Sequence, residues 1–193
     1  MIQAIIFDCF GVVISDALTV MCHERLRNRP ADVHKIWRLI EQTNKGLMTS
    51  NESSTEIGKI FGLSISEYRS QLSQGEQKDQ QLLNYISELR NDFNTAMLSN
   101  VGVGSLARRF DPGELEHYFD VIVASGEIGF AKPEARAYEI VAERLGLRCD
   151  ECLFTDDRLI YIEGAQAIGM HTIQYQSLPQ FKAELKLKLA NSK

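Results

Sequence analysis

Five short runs of apolar residues recur along the chain, each about the length of one strand. The first is rich in isoleucine and ends at a charged residue, Asp8. Runs of this length and composition are typical of strands that are buried on both faces of a sheet. The predicted strands are 2–7, 94–98, 120–124, 151–155 and 171–174.

Amphipathic stretches precede the second, fourth and fifth of these runs, and a further helix is predicted from Pro179 onward. Gly146 and Gly169 follow two of the stretches, in the position of a helix C-cap. Alternating strands and helices predict an α/β fold built on a doubly wound, mainly parallel sheet. The apolar faces comprise Leu82, Leu83, Tyr85, Ile86 and Leu89, then Tyr138, Val141, Ala142 and Leu145, then Ile162, Ala165 and Ile168.

The segment 15–76 interrupts this alternation, because it contains helix signals and no convincing strand. Val33, Ile36, Trp37 and Ile40 have the spacing of one helix face. Two capping boxes follow, Thr49 with Glu52 and Ser64 with Glu67, and Gly62 ends the helix between them. We predict an insertion of about four helices at 15–76, a core domain formed by 1–14 and 77–193, and a return linker near 73–81.

Composition narrows the class of function. With 21 basic and 26 acidic residues the net charge is −5, which argues against nucleic-acid binding by general electrostatics. No apolar run is long enough to span a membrane, and the N-terminus lacks the pattern of a signal peptide. Four cysteines are too few for a disulfide scaffold of this length, so we expect reduced thiols and a cytoplasmic protein.

Polar side chains cluster where the predicted strands end. Asp8 follows the first strand, Ser99-Asn100 the second and Asp156-Asp157 the fourth, and Lys132 comes after the third. Ligands of open parallel sheets bind at this carboxyl edge. Paired acids provide hard oxygen ligands for Mg²⁺, while lysine and hydroxyl groups stabilise developing negative charge. The combination suits phosphoryl transfer through a carboxylate nucleophile.

These residues resemble the motifs of the haloacid dehalogenase-like hydrolase superfamily, in the branch with a small helical cap after the first motif. The resemblance covers nearly the whole chain, and all four motifs occur in order. They are Phe7-Asp-Cys-Phe-Gly-Val-Val13, Leu98-Ser-Asn100, Lys132-Pro133 and Leu153-Phe-Thr-Asp-Asp157, followed by Glu163-Gly-Ala165 and Gly169-Met170.

The resemblance implies a role for each matching residue. Asp8 would be the nucleophile that forms a phospho-aspartate. Ser99, Asn100, Lys132 and Gly11 would bind the substrate phosphate, with Lys132 also steadying Asp8. Mg²⁺ would be held by Asp8, the backbone carbonyl of Phe10, Asp156 and Asp157. The implied activity is Mg²⁺-dependent hydrolysis of a small phosphorylated metabolite, perhaps a sugar phosphate, by a monomer or homodimer that binds neither nucleic acid nor membrane.

Two positions depart from the phosphatase pattern. Phe10 stands where these phosphatases usually have an Asp that protonates the leaving group, and losing a general acid costs about 10²–10⁴ in rate. Tyr161 stands where relatives often have Asn. An aromatic residue at position 10 also fits a metal-independent 2-haloacid dehalogenase, although Asp156-Asp157 argues against that activity. A non-catalytic member that binds phosphate or a protein is a third interpretation.

Simpler structural roles are open for several of these residues. Ser99-Asn100 could cap a helix beginning near 103, and Asp156-Asp157 could cap the helix that follows them. Cys149 and Cys152 form a C-x-x-C without a second pair, which favours structural thiols over a zinc site.

Overall fold

A five-stranded parallel sheet forms the centre of the protein in a computed structural model that describes residues 1–191. The spatial order is β3-β2-β1-β4-β5, so successive strands run outward from β1 in both directions. This order confirms the predicted doubly wound α/β fold. The strands are β1 (Ala4–Phe7), β2 (Asn94–Ser99), β3 (Val121–Ala124), β4 (Cys152–Asp156) and β5 (His171–Gln174).

Helices cover both faces of the sheet and also form the segment between β1 and β2. In chain order they are α1 (Ala17–Arg25), α2 (Pro30–Asn44), α3 (Ser50–Phe61), α4 (Ile65–Gly75), α5 (Gln80–Leu89), α6 (Glu114–Tyr118), α7 (Ser125–Ile128), α8 (Ala135–Leu145), α9 (Leu159–Ala167) and α10 (Leu178–Asn191). Residues 192–193, at the end of the predicted last helix, lie outside the described residues.

The sheet separates two hydrophobic layers. On one face Phe7 packs with Leu82 of α5 and Phe181 of α10, with the Phe7 and Phe181 ring centroids 5.6 Å apart. On the other face Ile6 packs with Tyr138 of α8 and with Phe154, among other residues. Since alternate residues of β1 face opposite layers and all four are buried, this strand lies at the centre of the core.

Helices α1 to α4 bury a hydrophobic cluster of their own, which includes Leu26, Ile36, Ile57 and Tyr68. Both predicted capping boxes form. Thr49 Oγ1 accepts from Glu52 N and Ser64 Oγ accepts from Glu67 N, while the carboxylate of each glutamate accepts from the backbone N–H of its capping residue.

Two chain segments connect these four helices to the sheet, and they are bonded to each other. Ser15 Oγ donates to the Gly75 carbonyl at 2.7 Å and accepts from Gln77 N at 2.8 Å. Asp79 N donates to the Val13 carbonyl at 2.9 Å. The predicted linker at 73–81 is wrong at both ends, because α4 continues to Gly75 and α5 begins at Gln80. A Cβ on Gly75 would lie 2.8 Å from the Ala17 Cβ, so glycine lets α4 extend to this contact.

Other differences from the sequence prediction are small. Strand ends shift by one or two residues, and β2 and β4 extend to include Ser99 and Asp156. The helices α6 and α7 were not predicted, because four or five residues are too few to show a helical period. Within residues 1–191, no helix combines the length and apolar character needed to cross a membrane.

Candidate functional site

The polar residues predicted to meet at the sheet edge do lie together there. Asp8 follows β1, Ser99 ends β2 and Asp156 ends β4, and these strands are neighbours in the sheet. The Asp8 backbone N–H donates to the Thr155 carbonyl at 3.0 Å, which extends the ladder of strand hydrogen bonds to Asp8. Lys132 reaches the same point from the loop between α7 and α8.

Lys132 occupies the centre of the site. Its side chain is 1% exposed, and its Nζ lies 2.6 Å from Asp8 Oδ1 and 2.6 Å from Asp156 Oδ2. Burial disfavours the ammonium charge, but Asp156 and Asp8 outweigh that effect and raise the pKa of Lys132. The lysine is therefore held as a cation between two carboxylates.

Asn100 fixes the backbone of Lys132. Its Oδ1 accepts from the Lys132 N–H at 2.8 Å, and its Nδ2 donates to the Lys132 carbonyl at 2.8 Å. The sequence predicts that Asn100 binds substrate. In the structure, the oxygen and the nitrogen of the Asn100 side-chain amide both form hydrogen bonds with the Lys132 backbone. The observed contacts are therefore those of a positioning residue.

Asp8, Asp156 and Asp157 bring carboxylate oxygens within 4.8 Å of one another. Burial and the nearby Asp156, opposed by Lys132, raise the pKa of Asp8 to about 7. Burial and Asp156 also raise the pKa of Asp157 to about 6. Asp157 Oδ1 is buried and has no hydrogen-bond partner among residues 1–191. One lysine therefore faces three crowded acids, a set of hard oxygen donors that fits a divalent cation.

The loop after Asp8 is tightly folded. Gly11 N donates to the Ile14 carbonyl at 2.7 Å, and Ile14 N donates to the Cys9 carbonyl at 2.7 Å. Gly11 has φ +89°, and a Cβ there would lie 2.6 Å from Asp157 Cγ. The glycine thus allows the loop to approach the acid cluster. The Phe10 carbonyl receives no hydrogen bond from any residue within 1–191.

We expect Gly11→Ala to lower the free energy of unfolding by about 1–3 kcal/mol, because it adds backbone strain and displaces the Asp157 carboxylate. Urea denaturation measures this change. Gly113→Ala is a matched control, since Gly113 has φ +82° but no atom within 4 Å of the added Cβ. Equal losses in the two variants would show that contact with Asp157 contributes nothing.

Ser99 contributes a buried hydroxyl, 1% exposed, that has no hydrogen-bond partner in the described structure. The alternative that Ser99-Asn100 caps a helix from 103 is wrong, because a turn and a 3-10 segment at Leu106–Arg108 follow instead. Asp156 does serve the start of α9 in part, since its Oδ1 accepts from Arg158 N at 2.9 Å. That contact coexists with its bond to Lys132.

A cleft of about 790 Å³ lies between the sheet edge and helices α1 to α4. Its lining includes Asp8, Ser99 and Lys132 from the site and Trp37, Ile57 and Leu72 from the helices. Trp37 is half-buried and borders the cleft. The helices thus contribute both apolar and polar side chains opposite the polar edge.

An ion pair that the sequence did not reveal borders the same cleft. Arg109 donates two hydrogen bonds to the Glu76 carboxylate, from Nε to Oε2 at 2.8 Å and from Nη2 to Oε1 at 2.7 Å. The Arg109 guanidinium lies 4.9 Å from the centre of the Phe10 ring. These partners are 33 residues apart, and no local pattern connects them.

Tyr161 covers Lys132, with the ammonium 5.0 Å from its ring centre. Its hydroxyl accepts from Arg158 NH1 at 2.9 Å, and its backbone carbonyl accepts from the Tyr138 hydroxyl at 2.8 Å. The sequence singles out Tyr161 as unusual without a role. The structure shows that its ring shields the buried lysine through a cation–π contact.

The cysteines are all free, as expected. Burial and the adjacent Asp8 raise the pKa of Cys9, which keeps this thiol protonated and unreactive. Burial and the neighbouring Cys149 also raise the pKa of Cys152 to about 12. These surroundings fit structural thiols.

Some known proteins match part of this chain, and others match nearly all of it. It is 46% identical over 56 residues to a phosphatase of Mycobacterium tuberculosis, covering 29% of this chain and 26% of that protein. It is 22% identical over 200 residues to D-ribitol-5-phosphate phosphatase of Bacteroides thetaiotaomicron, covering 96% and 97%. The chain spans 26% and 18% of the lengths of the first two curated relatives that it matches.

A solved structure shares the fold. It is the wild-type form of a HAD family enzyme from Bacteroides thetaiotaomicron in complex with magnesium and inorganic phosphate. The TM-score is 0.72 at 23% identity, over 92% of this chain and 96% of that one. A family model for haloacid dehalogenase-like hydrolases matches residues 2–169. Because that match includes most of the chain, the protein belongs to the haloacid dehalogenase-like hydrolase family.

Proposed function

We propose that the protein is a Mg²⁺-dependent phosphatase that hydrolyses a small phosphorylated metabolite through a phospho-aspartate on Asp8. The observation that carries this proposal is the buried contact of Lys132 with Asp8 and Asp156 at the floor of the cleft, beside the crowded acid cluster. A relative of similar length that is named a sugar-alcohol phosphatase supports the same reaction class.

In the first half-reaction an Asp8 carboxylate oxygen forms a bond to phosphorus, and the bond from phosphorus to the leaving oxygen breaks. The freed alkoxide takes its proton from water or from another proton donor beside the substrate. In the second half-reaction water attacks phosphorus, which releases inorganic phosphate and restores the Asp8 carboxylate. Lys132, bonded to Asp8, orients that carboxylate and offsets the charge gathered around it.

The Ser99 hydroxyl is suited to donate to a phosphoryl oxygen, because it is buried and has no protein partner within the described residues. Asn100 would act indirectly, by holding the Lys132 backbone. Gly11 would let the loop amides approach the phosphoryl group, since a side chain there would strike Asp157.

The cation would be held by Asp8, the Phe10 carbonyl and Asp157, with Asp156 completing the acidic wall. When bound, Mg²⁺ would neutralise charge between the nucleophilic carboxylate and the phosphoryl group. The unpartnered Asp157 Oδ1 and the free Phe10 carbonyl fit such a ligand set.

The helical segment 15–76 would be a cap domain on a core formed by 1–14 and 77–193. Its mixed apolar and polar lining would cover the cleft and select the substrate. A cleft of about 790 Å³ accommodates a small metabolite.

Phe10 favours a second candidate, a 2-haloacid dehalogenase, because an aromatic side chain stands where a phosphatase acid is expected. The acid cluster weighs against it, since three carboxylates with Lys132 beside them but no metal ion would repel a carboxylate substrate. Halide release from a 2-haloacid, measured in EDTA, would support the dehalogenase.

We expect turnover to depend steeply on the leaving group, because Phe10 provides no proton. Aryl, acyl and anomeric phosphates should react about 10²–10⁴-fold faster than simple alkyl phosphates, the size of a missing general acid. A series of aryl and alkyl phosphates, plotted against leaving-group pKa, measures this dependence. A flat plot would mean that another residue provides the proton.

Hydrolysis of p-nitrophenyl phosphate at neutral pH tests the proposed function. We expect turnover with Mg²⁺ and its loss with EDTA. Equal turnover in both conditions would exclude the metal-dependent mechanism, and no turnover in either would favour the dehalogenase or a non-catalytic binder.

A further inference from the structure

Seven basic side chains line the cleft, and most of them already have partners. They are Lys45, Arg69, Lys78, Arg108, Arg109, Lys132 and Arg158. Carboxylates pair with Lys45, Lys78, Arg109 and Lys132. Arg158 bonds the Tyr161 hydroxyl and stacks on its ring. The two that remain are Arg69 and Arg108.

Arg69 and Arg108 reach the cleft from opposite sides. Arg69 lies on α4, and its guanidinium makes one long contact, to Asn51 Oδ1 at 3.3 Å. Arg108 ends the 3-10 segment on the sheet side, and within residues 1–191 its side chain has no hydrogen bond or ion pair. Both are surface-exposed side chains at the border of a site whose floor is buried.

The surroundings of Arg108 are unusually positive for an acidic protein. Partial burial, followed by the like charges of Arg109 and Arg69, lowers the pKa of Arg108. The nearby carboxylate, Glu76, is already bonded by Arg109 through two contacts. The charge of Arg108 thus lies near two other guanidinium groups and near one carboxylate that Arg109 already occupies, and an arriving anion would relieve this repulsion.

We infer that Arg69 and Arg108 form a second anion subsite, so that the substrate carries another anionic group besides the phosphoryl group that is removed. This inference rests on the proposed function and specifies its substrate class. The second group is a carboxylate or a second phosphate, since guanidinium groups bind both through paired hydrogen bonds.

Matched substrate pairs test the subsite. 3-Phosphoglycerate against glycerol 3-phosphate isolates a carboxylate, and fructose 1,6-bisphosphate against fructose 1-phosphate isolates a second phosphate. Each pair keeps a similar leaving group, so the ratio of kcat/KM values reports the second anion. We expect the preferred pair to show a ratio of at least about 10 in the unaltered protein, the size of one charge-assisted contact.

Arg108→Gln should lower that ratio by about 10- to 100-fold, and Arg69→Gln should lower it in the same direction. Arg38→Gln is the matched control, since Arg38 is an exposed arginine of α2 outside the cleft lining. Its ratio should stay within about twofold of the unaltered protein. Ratios near one for both pairs, or equal losses in Arg108→Gln and Arg38→Gln, would overturn the subsite.

Calorimetric binding separates failure of the subsite from failure of the proposed function. The Asp8→Asn protein would be titrated with the same four compounds, with and without the Arg108→Gln change. If the compounds that carry a second anionic group bind more tightly, and this difference requires Arg108, the subsite is supported even when no turnover is found. Turnover of p-nitrophenyl phosphate without any such preference would retain the phosphatase and refute the subsite.

Discussion

Lys132→Met should lower the free energy of unfolding by about 3–5 kcal/mol, because within residues 1–191 it removes the one basic side chain paired with two buried carboxylates. Methionine has a similar length and is apolar, so the loss of stability reflects the missing positive charge more than a change in side-chain volume. The carboxylates of Asp8 and Asp156 would remain buried at the sheet edge, with Asp157 beside them.

Urea denaturation in EDTA measures the loss, and a repeat in Mg²⁺ tests its cause. If uncompensated negative charge is the reason, Mg²⁺ should restore more stability to Lys132→Met than to the unaltered protein. Lys35→Met is the control, since Lys35 is an exposed lysine of α2 and should change stability by less than about 0.5 kcal/mol. A loss in Lys132→Met no larger than in this control would contradict the buried ion pair.

Asp8→Asn should reduce turnover of p-nitrophenyl phosphate by at least about 10³-fold, because an amide cannot attack phosphorus as a carboxylate does. The fold should survive, since the asparagine oxygen can still accept from Lys132 Nζ and one crowded negative charge is gone.

Steady-state kinetics with Mg²⁺ measures the loss, and the melting temperature checks that the variant is folded. Asp92→Asn is a matched control, because Asp92 is exposed and lies outside the cleft lining. Retention of most of the turnover by Asp8→Asn would exclude Asp8 as the nucleophile.

Much of the fold follows from local sequence patterns. Short runs rich in β-branched residues predict buried strands, and β1 is fully buried in the structure. The capping boxes at Thr49 and Ser64 form because each depends on residues three positions apart. The clustering of Asp8 and Asp156 follows from one rule, that parallel strands end at a common edge.

The features that the sequence did not reveal depend on distant contacts. The pair of Glu76 and Arg109 joins the end of α4 to the sheet side, across a separation that no local period marks. Tyr161 could be noted as unusual, but its contact with Lys132 requires the folded α9. The extension of α4 to Gly75 likewise depends on contact with Ala17.

Phe10 packs against a charged pair and also affects the chemistry that is proposed for the site. Its ring lies against the Arg109 guanidinium, which is itself bonded to Glu76 at the base of the helical segment. Phe10 therefore contributes to a contact between the first motif and the return segment. This contact explains why an aromatic residue is accommodated there, and in the proposed reaction the leaving group would take its proton from elsewhere.

The most direct test of the central claim is to trap the covalent intermediate. Protein that is turning over p-nitrophenyl phosphate would be quenched in acid, digested, and the peptide containing Asp8 examined by mass spectrometry. We predict one phosphoryl group on Asp8 when Mg²⁺ is present, and none in EDTA or in Asp8→Asn. Turnover in Mg²⁺ with Asp8 unmodified at every quench time would contradict the account, because phosphate would then pass directly to water.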